Sequence, residues 1–154
     1  MRNLLKLIGL LLIIQQNAFA LNADSVFSLT KKVADWQLKV WAEGGIKRDK
    51  TNWTNAVCYT GYTEFHKIAK DSKYIQAMYT IGKQANWKTG VRRTFADDYC
   101  VGQLYAQLYP VYKEPAIISD FKFLTDSISK LPLNESLEWK NSIQMRELAW
   151  CDAL

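Results

Sequence analysis

The chain has 154 residues, 49% of them apolar and 13% aromatic, and carries a net charge of +5 from 20 basic and 15 acidic side chains. Apart from Lys47-Arg48 and Arg92-Arg93 the basic residues are scattered, which excludes the long basic stripe of a nucleic-acid binder and leaves a weak positive field suited to a small acidic ligand. Three cysteines, Cys58, Cys100 and Cys151, with no CxxC pair and only His66 beside them, exclude metal-site spacing and a disulfide framework. The thiols read as small buried apolar side chains, with a single disulfide left open.

In chain order, residues 1–20 place Arg2 and Lys6 around the start of an apolar run from Leu7 to Ile14 and end on Ala18-Phe19-Ala20. That is the order of a secretory signal peptide cleaved after Ala20, with an apolar core too short for an ordinary membrane span. A periplasmic or secreted protein with no membrane segment after cleavage is expected. Loss of these two cations and of no acidic residue lowers the mature charge from +5 to +3. Residues 21–154 suffice for one core.

The remaining pattern is helical almost throughout. Val26, Leu29, Val33, Trp36 and Val40 recur at steps of three and four until Gly44-Gly45 stops them. A second helix runs from a cap at Thr54 to about Lys70, where Asp71-Ser72 breaks it. A third carries Ile75, Met78, Ile81 and Ala85. Gly90 marks a loop over 88–93, a fourth helix spans 96–112 with Pro110 in its last turn, and Pro115 opens a fifth that carries Ile118, Phe121, Leu124 and Ile128 until Leu131-Pro132 ends it. After the Asn134-Glu135-Ser136 loop, a sixth pattern starts around 139–150. No stretch alternates with a period of two, so the chain is predicted all-α, built of helical hairpins as in a solenoid or a closed ring. The even-numbered helices are the more apolar and aromatic, and would form the inner layer.

Each even-numbered helix opens on a polar and aromatic cluster: Trp53-Thr54-Asn55, Asp97-Asp98, and Trp150-Cys151-Asp152. Parallel inner helices would bring these to one rim, as a concave pocket of tryptophans and carboxylates near helix N-termini that favour an anionic group. Tryptophan faces suit sugar rings, and Asp and Asn suit their hydroxyls. Two carboxylates with separated pKa values can cleave glycosides. Taken singly, Asp97 and Asp98 read first as helix caps. Arg92-Arg93 reads first as a solvated loop, and as a carboxylate clamp second.

The segments "DKTNWTNAVCYTGYTEFHKIAKDSKYI", "ANWKTGVRRTFADDYCVGQLYAQLYPVYKEPAII" and "WCDAL" resemble the unsaturated rhamnogalacturonyl hydrolases, relatives of the unsaturated glucuronyl hydrolases. The resemblance implies an (α/α)6 toroid of six helical hairpins, of which residues 21–154 supply about the first half. It implies a glycoside hydrolase acting on lyase-generated pectin or rhamnogalacturonan oligosaccharides that carry a C4=C5 unsaturated uronic acid. In that family an aspartic acid protonates C4, water adds at C5, and the resulting hemiketal opens to release the neighbouring sugar. By this resemblance Asp152 is the proton donor and Asp97 the second carboxylate, with Asp98 adjoining it as a further substrate-binding candidate, while Trp53, Asn55, Tyr59, Gln103 and Trp150 line the sugar pocket; Arg92 or Arg93 is placed to hold the substrate carboxylate. No metal or organic cofactor is expected. A half ring is not expected to turn over substrate alone. The alternatives are a non-catalytic helical-repeat binding module and another (α/α)6 sugar enzyme.

Overall fold

A computed structural model describes residues 22–92 and 95–130, which form five α-helices with no strand among them. The chain divides after Lys39 into two units. In the described part of the first lies most of helix α1 (Ala23–Gly44), which carries a Lys31–Asp35 ion pair one turn apart. Its apolar stripe is open: Leu29, Val33 and Trp36 are all exposed. Gly45, at φ 70°, ends the helix where the sequence predicts.

The second unit holds α2 (Trp53–Ala69), α3 (Ser72–Gln84), α4 (Ala96–Tyr112) and α5 (Ala116–Ile128). The sequence reading places α2 and α4 within one residue of these bounds, while α5 stops at Ile128, short of the predicted stop at Leu131-Pro132. Its cap for α2 moves back: Asn52, rather than Thr54, is the N-cap, and its side chain accepts from both the Thr54 amide and the Thr54 hydroxyl. Thr54 is already inside the first turn, where its own amide needs that acceptor. Pro110 leaves α4 intact to Tyr112, because so near the helix end it removes one hydrogen bond from a turn already fraying.

The fold repeats itself. Helices α2 and α4 are each 17 residues long, and each stops at a lysine in the left-handed conformation, Lys70 and Lys113, whose amide bonds back to the carbonyl four residues earlier. The two helices pack directly against one another and run parallel. At their starts the Cys100 thiol lies 4.0 Å from the Trp53 carbonyl, and further along Thr63 donates to the Gln107 side chain, which donates to Glu64. Each is followed by an antiparallel partner. Tyr74 at the start of α3 meets Tyr62 and Phe65 late on α2, and Phe121 of α5 lies on Gly102 of α4. Two parallel helices with antiparallel return helices are part of a helical toroid, as the hairpin reading predicts.

The core lies along the α2–α4 seam. Tyr59, Tyr74, Tyr105, Met78, Leu104 and Leu108 are wholly buried there. Trp41 sets its ring edge-on to Tyr59, with centroids 5.6 Å apart. Large aromatic rings fill the seam with few rotamers to fix, which makes its burial efficient. The cysteine expectation fails at Cys58, which is exposed, because its position turns away from this seam; Cys58 and Cys100 are both free thiols. No helix of the described residues is long and apolar enough to cross a membrane.

Two helical glycines are expected to answer oppositely to alanine. A Cβ on Gly102 would stand 2.2 Å from the Phe121 ring, whereas a Cβ on Gly61 meets nothing. Gly102→Ala should destabilise by about 1–3 kcal/mol through overpacking of the α4–α5 seam. Gly61→Ala should stabilise by about 0.5–1 kcal/mol through helix propensity. Urea unfolding of the two variants measures both, and equal shifts would contradict the packing described.

Candidate active site

The N-terminal ends of α2 and α4 lie side by side because the helices are parallel, and the loops that enter them frame a cleft of about 570 Å³. One wall is the turn over 48–53 and the other is the segment 84–92 that links α3 to α4. Four cationic side chains (Arg48, Lys50, Lys88, Arg92) and three carboxylates (Asp49, Asp97, Asp98) line it.

The first wall is shaped by Asp49. Its carboxylate accepts from the amide and hydroxyl of Thr51, each at 2.7 Å, and these bonds hold it below the usual carboxylate range. Its carbonyl accepts from the side chain of Asn55 at 2.9 Å. Asn55 thus ties the first turn of α2 to the loop, and Trp53, 46% exposed, is presented on the cleft.

The second wall starts with two consecutive non-glycine residues in the left-handed region, Asn86 (φ 51°) and Trp87 (φ 55°). Such a pair persists only where packing compensates its strain. The compensation is visible: the Trp87 ring fills the notch above Gly82, where a Cβ would come within 2.0 Å, and meets Tyr105 edge-on at 5.5 Å. Tyr105, kept protonated by burial, donates to the Lys88 carbonyl at 2.7 Å. Lys88 pairs with Asp120 of α5 at 2.6 Å, and the Thr89 amide and hydroxyl also donate to that carboxylate.

Asp98 closes the wall. It is 8% exposed, yet it is fully served: one carboxylate oxygen accepts from the Arg92 amide at 2.6 Å, the other from Arg92 Nε at 3.1 Å and Nη2 at 2.6 Å. Its own carbonyl accepts from the Gly90 amide at 2.9 Å. Only glycine fits at position 90, since a Cβ there would lie 2.3 Å from the Asp98 carboxyl carbon. These bonds hold the Arg92 guanidinium more firmly protonated than usual, and its carbon lies 4.0 Å from the centre of the Phe95 ring.

The adjacent carboxylates therefore differ. Neither caps α4, whose N-cap is Phe95 with no side-chain cap bond. Asp98 folds back onto the loop, whereas Asp97 faces the cleft, 37% exposed, with the Arg92 guanidinium at 4.0 Å.

Of the residues singled out from the sequence, Trp53, Asp97 and Asp98 come together in the cleft, and Asn55 braces it. Tyr59 does not line it: the residue is wholly buried against Trp41, and its hydroxyl has no hydrogen-bond partner among the described residues. Its position faces the helix seam, so an accessible sugar contact from Tyr59 would need that seam to open. Gln103 is exposed on α4 and is not part of the cleft lining. Arg93, Trp150 and Asp152, together with residues 1–20, lie outside the described residues. Of the Arg92-Arg93 pair the structure shows Arg92 on the cleft, and sequence reasoning missed Asp49, Asn52, Lys88 and Asp120. Gly90 two residues before Arg92 was the available signal of a close approach.

Asp120 makes the wall sensitive to acid. Burial works against its charge, but the bonds from Lys88 and Thr89 and the Lys88 charge outweigh burial and hold the carboxyl below 3.8. A depressed folded pKa contributes stability that is full above 3.8 and is lost as pH falls through the lower folded value. Asp120→Asn should therefore melt below the parent at about pH 6, and the gap should close as pH falls below the ordinary carboxylate range. A gap that stays constant into acid would contradict this.

Residues 29–154 match the family described as Glycosyl Hydrolase Family 88. Over 113 residues the chain is 29% identical to an unsaturated 3S-rhamnoglycuronyl hydrolase of Formosa agariphila, a match covering 68% of this chain and 29% of that relative. The chain thus spans less than a third of that relative's length in the match. No solved structure matches it. Because the family match takes in α2 to α5 and every loop that frames the cleft, the chain belongs to glycosyl hydrolase family 88.

Proposed function

We propose that the protein is a glycoside hydrolase that removes the C4=C5 unsaturated uronic acid from lyase-generated pectin or rhamnogalacturonan oligosaccharides. The observation that carries this reading is the division of labour between neighbouring carboxylates, with Asp98 consumed by its loop and Asp97 left facing a cleft of sugar size. Family membership supports glycosidase chemistry, and the name of the Formosa agariphila relative supports an unsaturated uronyl substrate.

On this reading Asp97 is the cleft carboxylate that binds the ring hydroxyls and tunes a proton donor, and that donor is Asp152. Asp152 delivers a proton to C4; water, giving its proton back to the carboxylate, adds to C5. The hemiketal then opens by breaking its C5–O5 ring bond to a C5 ketone, and the hemiacetal so left at C1 collapses to an aldehyde, breaking the glycosidic bond and releasing the neighbouring sugar as the alcohol. Trp53 supplies an apolar platform for the ring. Residues 21–154 give one part of the six-hairpin ring, and turnover draws on the rest of it. The same reading takes residues 1–20 as an export signal, which would bring the enzyme to the periplasm or medium, where such oligosaccharides arise.

The experiment is a turnover assay on the full-length ring, following loss of the conjugated double bond's ultraviolet absorbance. Asp152→Asn and Asp97→Asn should each lower the rate by about a hundredfold or more. Unchanged turnover in Asp152→Asn removes the assigned donor, and an unaltered absorbance with the parent enzyme overturns the substrate class.

A further inference from the structure

Arg92 is the most constrained cation of the cleft. Its amide and its Nε–Nη2 side are both spent on Asp98, and the Phe95 ring lies against its plane. A guanidinium has five N–H donors, and these bonds leave its end-on edge, Nη1 with the second Nη2 proton, without a hydrogen bond among the described residues. The side chain is still 51% exposed, on the wall of the cleft and 4.0 Å from the Asp97 carboxylate. Lys88, by contrast, has its single ammonium on Asp120.

We propose that Arg92 is the specificity-determining residue for the acidic group of the sugar, receiving a uronate carboxylate on its end-on edge. Asp98 and Phe95 are positioning residues that fix the plane of the fork. The assignment rests on the reading of the cleft as an acidic-sugar site. Its physical basis is preorganisation: an arginine whose side-on edge is held by a buried carboxylate loses little further freedom when a second carboxylate arrives, and the planar fork matches that group with two parallel bonds. A carboxylate bound there lies beside Asp97, which brings the acidic ring of the oligosaccharide, rather than a neutral one, to the cleft carboxylate.

The test is calorimetric titration of the chain with an unsaturated uronyl disaccharide and with its methyl ester, at low salt, for the parent, Arg92→Gln and Arg92→Lys. The parent should prefer the free acid by about tenfold. Arg92→Gln should bind acid and ester alike, at the level of the ester. Arg92→Lys, which keeps the charge and loses the fork, should retain only part of the preference; if the glutamine variant does not fold, this one decides. A full preference surviving in either folded variant overturns the role of Arg92 while leaving the cleft reading in place. Parent protein that binds neither sugar overturns that reading, and this assignment falls with it.

Discussion

One buried carboxylate organises the rim of this protein. Asp98 is 8% exposed and accepts bonds from the amide and the guanidinium of Arg92, while its own carbonyl holds the Gly90 amide. A charge so nearly removed from water is tolerable only when its acceptor capacity is used, and here a single residue supplies three donors. The loop between α3 and α4 is thereby fastened to the first turn of α4. The same bonds relieve Asp97 of a structural task, and the cleft inherits a carboxylate that the fold itself does not need.

Beneath that rim the geometry comes from repetition. Two 17-residue helices with matching left-handed lysine ends lie parallel across a seam of tyrosines, so their starting residues reach the same level. The strained turn at Asn86 and Trp87 then aims the connecting segment into the cleft, and the Gly82 notch lets the Trp87 ring sink deep enough to hold it. Local strain, aromatic packing and a glycine without a side chain act together on one short segment. That wall is thus shaped by Gly82, Asn86 and Trp87, which do not line the cleft themselves.

Much of this was legible in the sequence, for identifiable reasons. Apolar residues at steps of three and four marked every described helix, and Gly44-Gly45, Asp71-Ser72 and Pro115 bounded them well, because backbone preferences act locally. The inference of parallel inner helices also holds for α2 and α4, since alternate members of a hairpin series share a direction. What could not be read was depth. Tyr59 and Trp53 are both aromatic residues near the start of α2, but one closes the seam and the other faces the cleft, a difference set by tertiary packing. Asp97 and Asp98 looked alike as helix-start residues; their separation depends on a loop six residues away turning back through Gly90. For the same reason the sequence named Arg92 and Arg93 together, and only the turn of the loop shows Arg92 on the cleft.

The proposed division of work gives Asp98 to the fold and leaves Asp97 to the cleft. Thermal unfolding of Asp97→Asn and Asp98→Asn, measured side by side, tests it most directly. Asp98→Asn should lower the melting temperature by several degrees, as expected for about 2 kcal/mol lost from a buried, hydrogen-bonded charge. Asp97→Asn should melt within about a degree of the parent, as a surface substitution outside the bonding network does. The reverse order, or equal losses from both, would contradict the account.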